Sequence, residues 1–372
     1  VRRVVLIADE YYASLAAVRA LQAGGYETTV ASTTDDGYAQ RSRAARRVVR
    51  VPETERGDAF VAAVAALARD ADLVLAGTEA ATVALAGRED AVAPARLGTP
   101  APEAVRRLGD KQELGGLAAA AGLATPGGVV VEAGADAPDV AFPVVLKPVR
   151  SAETTGDGTV QLPLAVAVDD AAELRERITA RPDVTWLVQP YLTGPLIAVA
   201  GVSAGGDTLC TVHQTARRIF PRDAGVSAFA ETIPLDATLD ERVRDLLACV
   251  GFTGIWEAQF ILQDGRHHLI DLNPRMYGSL GLAVAAGANL PALLADVLLG
   301  EQRRACTYRA GVGFRAEMRE LGVVADAVRG RDLATVRSVL TPRRDTAHAV
   351  LSLRDPGPAL LLARRAVTRA LG

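Results

Sequence analysis

Between residues 254 and 273 the apolar and polar positions alternate with a period of two. Trp256, Ala258, Phe260 and Leu262 fall on one face of a strand, and Ile255, Glu257, Gln259 and Ile261 fall on the other. On the return segment His268, Ile270 and Leu272 share a face, while Leu269, Asp271 and Asn273 share the opposite one. The pattern predicts a hairpin with one face on a core and one polar face. Asp264-Gly265 suits a two-residue turn, but that register sets Asp271 opposite Ala258 and buries a carboxylate on the apolar face. The expectation is therefore an odd-length loop, which pairs Gln259 with Asp271 and Glu257 with Asn273.

Upstream, RVVLIA at 3–8 predicts an apolar strand, followed by a loop to Tyr12, a helix to Ala23 closed by Gly24-Gly25, and a second strand at 26–32. A helix at 59–69, a third strand at 72–76 and a loop Gly77-Thr78-Glu79 that opens another helix continue the alternation. Such alternation implies a parallel sheet with a crevice at the strand C-terminal ends. Glu10, Thr78 and Glu79 are candidates for that crevice, with helix capping an equal reading of each.

Three prolines within 94–102 mark a linker. Beyond it, Asp110-Lys111 starts an Ala-rich helix ending at Gly122, and FPVVLKP at 142–148 reads as a buried strand with a single charge. A polar loop follows at 151–158, then a helix at 170–180, a strand at 185–192 and two antiparallel strands at 196–203 and 208–214. After the hairpin, Gly278-Ser279 opens a helix whose free N–H groups suit an anion. Residues 313–340 read as mainly helical. The last segment, 352–372, ends in a helix with Leu360, Leu361, Val367 and Leu371 on apolar positions and Arg364, Arg365 and Arg369 on the others. A basic amphipathic helix either docks on its own protein or lies on an anionic membrane.

With 372 residues, 49% hydrophobic and 23% charged, the chain reads as a soluble protein of two or three domains. A net charge of −3 gives no general affinity for nucleic acid. Cys210, Cys249 and Cys306 lie far apart, suggesting neither a disulfide framework nor a metal cluster and fitting a reducing compartment. No apolar run reaches the roughly 20 residues of a spanning helix, and the N-terminus runs into a strand rather than a signal peptide, so a cytoplasmic location is expected. His267 and His268 point to opposite faces, and His213 and His348 lack partners at ligand spacing. Of the 41 basic residues only two are lysine, Lys111 and Lys147. A strand interior tolerates the Lys147 ammonium only if it meets a partner.

The polar face of the hairpin gathers Glu257, Gln259, Asp271 and Asn273, with Arg275 just beyond Pro274. Carboxylate and carbonyl oxygens at this spacing suit a hard cation such as Mg²⁺, which shares its shell with phosphate oxygens and water. Gln259 followed by Asp271-Leu272-Asn273-Pro274-Arg275 resembles the metal-binding hairpin of ATP-grasp enzymes, in the carbamoyl-phosphate-synthase-like branch. Asp271 is one methylene shorter than the usual glutamate. Asp110-Lys111 with its helix, Lys147 in its strand and the 185–192 segment resemble further parts of that family. Arg217-Arg218 and Gly225-Val226-Ser227 resemble a substrate loop of polysaccharide-biosynthesis-type members.

The resemblance implies an α/β ATP-grasp fold with a Rossmann-like N-terminal domain (1–104), an ATP-grasp domain (105–302, lid 124–188) and a helical C-terminal extension (303–372). It implies ATP and Mg²⁺ as cofactors and an ADP-forming ligase that joins a small-molecule carboxylate to an amine through an acyl phosphate. Lys111 and Lys147 would hold the phosphates, with 151–158 as a flap over them. Gln189, Tyr191 and Leu192 would form the adenine hinge, and Gln259, Asp271 and Asn273 would hold Mg²⁺ with Glu257 as a supplementary ligand. Arg275 and Asn273 would act in catalysis. Arg217, Arg218, Ser279 and Glu79 would face the substrates, and the assembly implied is a homodimer. Gln189-Pro190 and Pro195 depart from the usual hinge acids. A nucleotide-binding protein that keeps the fold without ligation is the rival reading. A nicotinamide oxidoreductase lacks its GxGxxG fingerprint.

Overall fold

The computed structural model describes residues 1–154, 159–161, 164–221 and 225–371. The chain opens with β1 (Arg3–Ala8), α1 (Tyr12–Ala23), β2 (Glu27–Ser32), β3 (Ala45–Arg50), α2 (Gly57–Ala68), β4 (Leu73–Ala76), α3 (Glu79–Leu85), α4 (Glu89–Val92) and β5 (Arg96–Leu97). These strands pair in parallel in the order β3-β2-β1-β4-β5. Both faces of β1 are covered, Leu6 in one core with Leu15 and Leu73, and Ile7 in another with Phe60 and Val74. Strand order reverses between β1 and β4, which opens a crevice beyond their C-terminal ends.

Two edge strands escape the sequence pattern. β3 has mostly exposed side chains and so carries no apolar run; the strand at 72–76 is accordingly the fourth, not the third. The expected linker at 94–102 contributes β5 to the other edge.

Next come α5 (Pro102–Gly109), α6 (Lys111–Ala120), β6 (Val129–Val131), β7 (Val144–Pro148), β8 (Ala152–Thr154), β9 (Thr159–Gln161), β10 (Val166–Val168), α7 (Ala171–Ala180) and β11 (Trp186–Pro190). The order β10-β7-β11-β6 makes a small antiparallel sheet. Leu146, Val188 and Trp186 bury Leu174 and Ile178 of α7 in a core of their own. The flap expected at 151–158 begins in β8; residues 155–158 lie outside the described residues.

The remaining elements are β12 (Leu196–Ala204), β13 (Asp207–Phe220), β14 (Val226–Thr232), α8 (Ala237–Ala248), β15 (Gly254–Gln263), β16 (Arg266–Asn273), α9 (Leu280–Ala286), α10 (Leu290–Leu299), β17 (Gly313–Arg315), α11 (Glu317–Arg329), α12 (Leu333–Leu340), β18 (Thr346–His348) and α13 (Gly357–Leu371). They build a seven-stranded sheet of order β16-β15-β12-β13-β14-β17-β18. One face packs Trp256 and Phe260 against Leu246 and Leu247 of α8. The other packs Val202 and Ile255 into the core that holds α9, α10 and α1 of the N-terminal sheet.

The hairpin has the expected register, Gln259 opposite Asp271 and Glu257 opposite Asn273, but reaches it by another route. Asp264 (φ 51°) and Gly265 (φ 74°) form a two-residue turn between Gln263 and Arg266. The odd residue is Ile270, a β-bulge between the Phe260–Leu269 and Gln259–Asp271 pairs. The bulge corrects the alternation as well: Leu269 shares a core with Leu272 rather than a face with Asp271.

Cys210 and Cys306 form a disulfide, with Cα atoms 5.8 Å apart, and Cys249 is free. The expectation of unpaired cysteines is overturned, and with it the cysteine argument for a reducing compartment. Proximity across 96 residues of sequence comes from the fold, which lays the segment after α10 along β13.

Helix α13 docks on the N-terminal sheet. Arg365 pairs with Glu10 at 3.0 Å and sits over the Tyr38 ring, Arg364 pairs with Asp36, and Leu361 and Leu362 are buried. Leu360 and Val367 are exposed, so of these expected apolar positions Leu361 is the buried one, and Leu362 joins it. Among the described residues no single helix is long and apolar enough to cross a membrane. The bent pair α9 and α10, at 87°, passes on length and composition alone, and it lies largely within the core.

Candidate active site

A cleft of about 1170 Å³ opens where the three sheets meet, and most of the chemistry singled out in the sequence lines it. Its floor is built by strand register. Gln214 on β13, Ala198 on β12, Gln259 on β15 and Asp271 on β16 form one row across the sheet, and Ala200, Glu257 and Asn273 belong to the next. Alanines at 198 and 200 leave the flanking polar side chains room to meet.

Both lysines converge on this floor. Lys147 projects from β7 with Nζ 2.6 Å from the carbonyl oxygen of Ile270, the bulge residue. Burial lowers its pKa to about 8 against the opposing pull of Asp271, and Lys111 lowers it further. Lys111 is the first residue of α6, whose N-cap Asp110 accepts from the Gln112 and Glu113 amides. Its Nζ donates to Ser151 Oγ at 3.0 Å and lies 3.9 Å from Asp271 Oδ1. Two ammonium groups with one carboxylate between them leave an excess of positive charge suited to phosphate oxygens.

Glu257 is buried and collects four donors. Gln259 Nε2 (2.8 Å) and Asn273 Nδ2 (3.1 Å) reach Oε2, while Gln214 Nε2 (3.0 Å) and Ser279 Oγ (3.2 Å) reach Oε1. Burial raises its pKa, opposed by the hydrogen bonds from Gln259, Ser279 and Asn273 and by the charge of Arg275. Among the described residues no Lys or Arg lies within 4 Å of it.

Arg275 crosses to the N-terminal domain, its Nε donating to Glu79 Oε2 at 3.2 Å. Burial disfavours its charge, but Glu79 outweighs that and raises its pKa. Glu79 starts α3, and Thr78 caps that helix by accepting from the Ala81 amide. Thr78 thus caps the helix while lining the cleft beside Glu79. Glu10 turns away to Arg365, whereas its neighbour Asp9 lines the cleft.

A family model described as ATP-grasp in the biosynthetic pathway with Ter operon matches residues 182–319. The chain superposes on an L-amino acid ligase from Bacillus licheniformis with TM-score 0.62 and 18% identity, covering 82% of this chain and 75% of that one. It also superposes on N5-carboxyaminoimidazole synthetase from Staphylococcus aureus complexed with ADP, with TM-score 0.64, 13% identity, and 84% and 80% coverage. D-alanine–D-alanine ligase from Bacillus anthracis complexed with ATP gives TM-score 0.53, 17% identity, and 81% and 96% coverage. The chain has the ATP-grasp fold.

The ATP-grasp cleft brings together Lys111, Lys147, Tyr191, Glu257, Gln259, Asp271, Asn273, Arg275, Ser279 and Glu79. It leaves out the side chains of Gln189, Leu192, Arg217 and Arg218. Gln189 is buried and ties β11 to the Gly127 carbonyl at 2.8 Å. Arg217 pairs at the surface with Glu231, and Arg218 holds Glu320 in a two-pronged ion pair while lying over the Phe229 ring. Arg319, near the start of α11, does line the cleft. It donates to the Ser227 carbonyl (3.0 Å) and to Tyr11 Oη and lies over the Tyr11 and Tyr12 rings. Tyr11 comes within 2.7 Å of where a side chain on Gly278 would begin, so that glycine makes room for the ring. Sequence reasoning passed over Arg319, Tyr11, Asp9 and Gln214.

Among the described residues no three His, Cys, Asp or Glu side chains cluster. A cation here would draw on Asp271 and on the amide oxygens of Gln259 and Asn273, which carry no hydrogen bond among the described residues. One carboxylate and two neutral oxygens beside two lysines fit Mg²⁺ arriving with phosphate oxygens.

Proposed function

We propose that this ATP-grasp chain is an ATP-dependent carboxylate–amine ligase that forms an acyl phosphate and releases ADP and phosphate. The observation that carries the reading is the convergence in one cleft of Lys111, Lys147 and the hairpin residues Gln259, Asp271 and Asn273 with Arg275 and Arg319. One end is suited to a polyphosphate and the other to a carboxylate. That the L-amino acid ligase and the D-alanine–D-alanine ligase share the fold supports it.

Lys111 and Lys147 would hold the phosphates, and Tyr191 would stand at the nucleotide end. Gln259, Asp271 and Asn273 would hold Mg²⁺, which when bound neutralises charge on the transferring group. The substrate carboxylate, oriented by Arg319, attacks the γ-phosphorus in line; the bond to the β–γ bridging oxygen breaks and ADP leaves. Arg275, already in place and largely removed from water, meets the charge that develops on the phosphoryl oxygens. The amine nitrogen then attacks the acyl carbon, phosphate departs, and the nitrogen loses a proton to give the amide. Positioning two substrates in one closed cleft supplies much of the rate.

Mg·ATP incubated with pooled amino acids and small carboxylic acids tests this by nucleotide analysis. ADP that appears only with a carboxylate and an amine is the expected result. AMP overturns the acyl-phosphate route, and bound ATP without turnover leaves a nucleotide-binding protein that does not ligate.

A further inference from the structure

Glu257 is a carboxylate two residues before Gln259, opposite Asn273 and one row from the Gln259–Asp271 pair. A buried carboxylate without a cationic partner is costly unless donors satisfy it, and here both oxygens are fully engaged. The consequence lies in which ends of its neighbours it engages. Gln259 and Asn273 each spend their N–H group on Glu257 Oε2. An amide held by its nitrogen points its carbonyl oxygen the other way. Without that acceptor, either amide could turn over and present N–H groups to the cleft, which repel a cation. Gln214 and Ser279 hold the second oxygen of Glu257, so the carboxylate itself cannot swing.

We propose that Glu257 is a positioning residue and not a metal ligand: it fixes the amides of Gln259 and Asn273 with their oxygens toward Asp271, creating the Mg²⁺ site of the reading above. Groups behind the ligands that set ligand orientation commonly carry about 10- to 100-fold in metal affinity.

The inference rests on the nucleotide-site reading, yet its test needs no turnover. Mn²⁺ binding to the full chain with ADP is followed by electron paramagnetic resonance, alongside metal-free ADP binding and the thermal midpoint. Glu257→Gln keeps an oxygen that accepts from Gln259 and Asn273. Its new NH₂ group takes the place of the oxygen that Gln214 Nε2 now meets, and turning the Gln214 amide over brings its buried, partnerless Oε1 round to accept. This variant is expected to hold Mn²⁺ within about threefold of the parent. Glu257→Ala removes the acceptor and is expected to lose about tenfold or more in Mn²⁺ affinity, with metal-free ADP binding unchanged.

A tenfold loss in Glu257→Gln, at an unchanged midpoint, makes the charge of Glu257 a ligand and overturns the proposal, as does full Mn²⁺ affinity in Glu257→Ala. If Glu257→Ala does not fold, Glu257→Gln alone decides between ligand and positioning residue. A parent protein that binds ADP but no Mn²⁺ overturns this proposal alone, and one that binds neither overturns the nucleotide-site reading with it.

Discussion

Lys147 is where burial and charge can be read most directly. Its folded pKa of about 8 lies below the ordinary 10.5. The fold therefore carries the cost of a buried ammonium below pH 8 and sheds it as pH rises toward 10.5, so this residue's contribution favours stability at higher pH. On the proposed reading, phosphate binding has the opposite sign, because it would need the ammonium. Metal-free ADP affinity is expected to be level below pH 8 and to fall by up to about tenfold per unit above it. Lys147→Gln should remove that break and weaken ADP by about 10- to 100-fold, as loss of a charge-assisted hydrogen bond would. Calorimetric titration between pH 7 and 9.5 checks both. The lysines were legible because they are so rare in this chain. Arg319 was not, being one arginine among many, with partners on Tyr11 and Ser227 that only folding brings near.

At the scale of elements the hairpin is the instructive case. Burial argued correctly that Asp271 must not face the core, and the pairing followed. Turn chemistry also argued correctly for Asp264-Gly265, and the two demands conflict by one residue. The bulge at Ile270 reconciles them, and it has no sequence signature because an isoleucine there reads as ordinary strand. Deleting Ile270 would let Leu269 and Asp271 follow each other in regular pairing without disturbing Gln259 opposite Asp271. Mn²⁺ affinity is then expected to stay within about threefold, while metal-free ADP binding falls about tenfold because Lys147 loses the carbonyl that holds its ammonium. Measuring the two affinities separately in the deletion variant tests the split.

For the whole molecule, the alternation of elements announced the parallel sheet and four neighbouring strands of the larger one, β16, β15, β12 and β13. Beyond residue 300 it missed two short strands, while α11 and α12 agree with the helical reading of 313–340. β17 and β18 are three residues each and add to a sheet whose partners are distant in sequence, so local periodicity says little about them. Helix α13 was read with two homes, and its arginines find theirs on Glu10 and Asp36. Removing residues 357–372 uncovers the sites of Leu361 and Leu362, each worth about 1.5–3 kcal/mol when fully buried. A fall of several degrees in the thermal midpoint is expected, at about 2–4 °C per kcal/mol, and scanning calorimetry of the shortened chain measures it.

The core that holds α1 together with α9 and α10 has a consequence for how such a protein could be rebuilt. The N-terminal sheet is no detachable cartridge: Leu15, Val18 and Leu21 are packed with Leu280, Leu290 and Leu293 as one body. A chimaera that exchanges the first hundred residues must carry the matching faces of α9 and α10 with it, or open cavities in both halves. On the proposed reading, new specificity is more readily grafted at Arg319 in the first turn of α11 than at Tyr11, which packs against that same core.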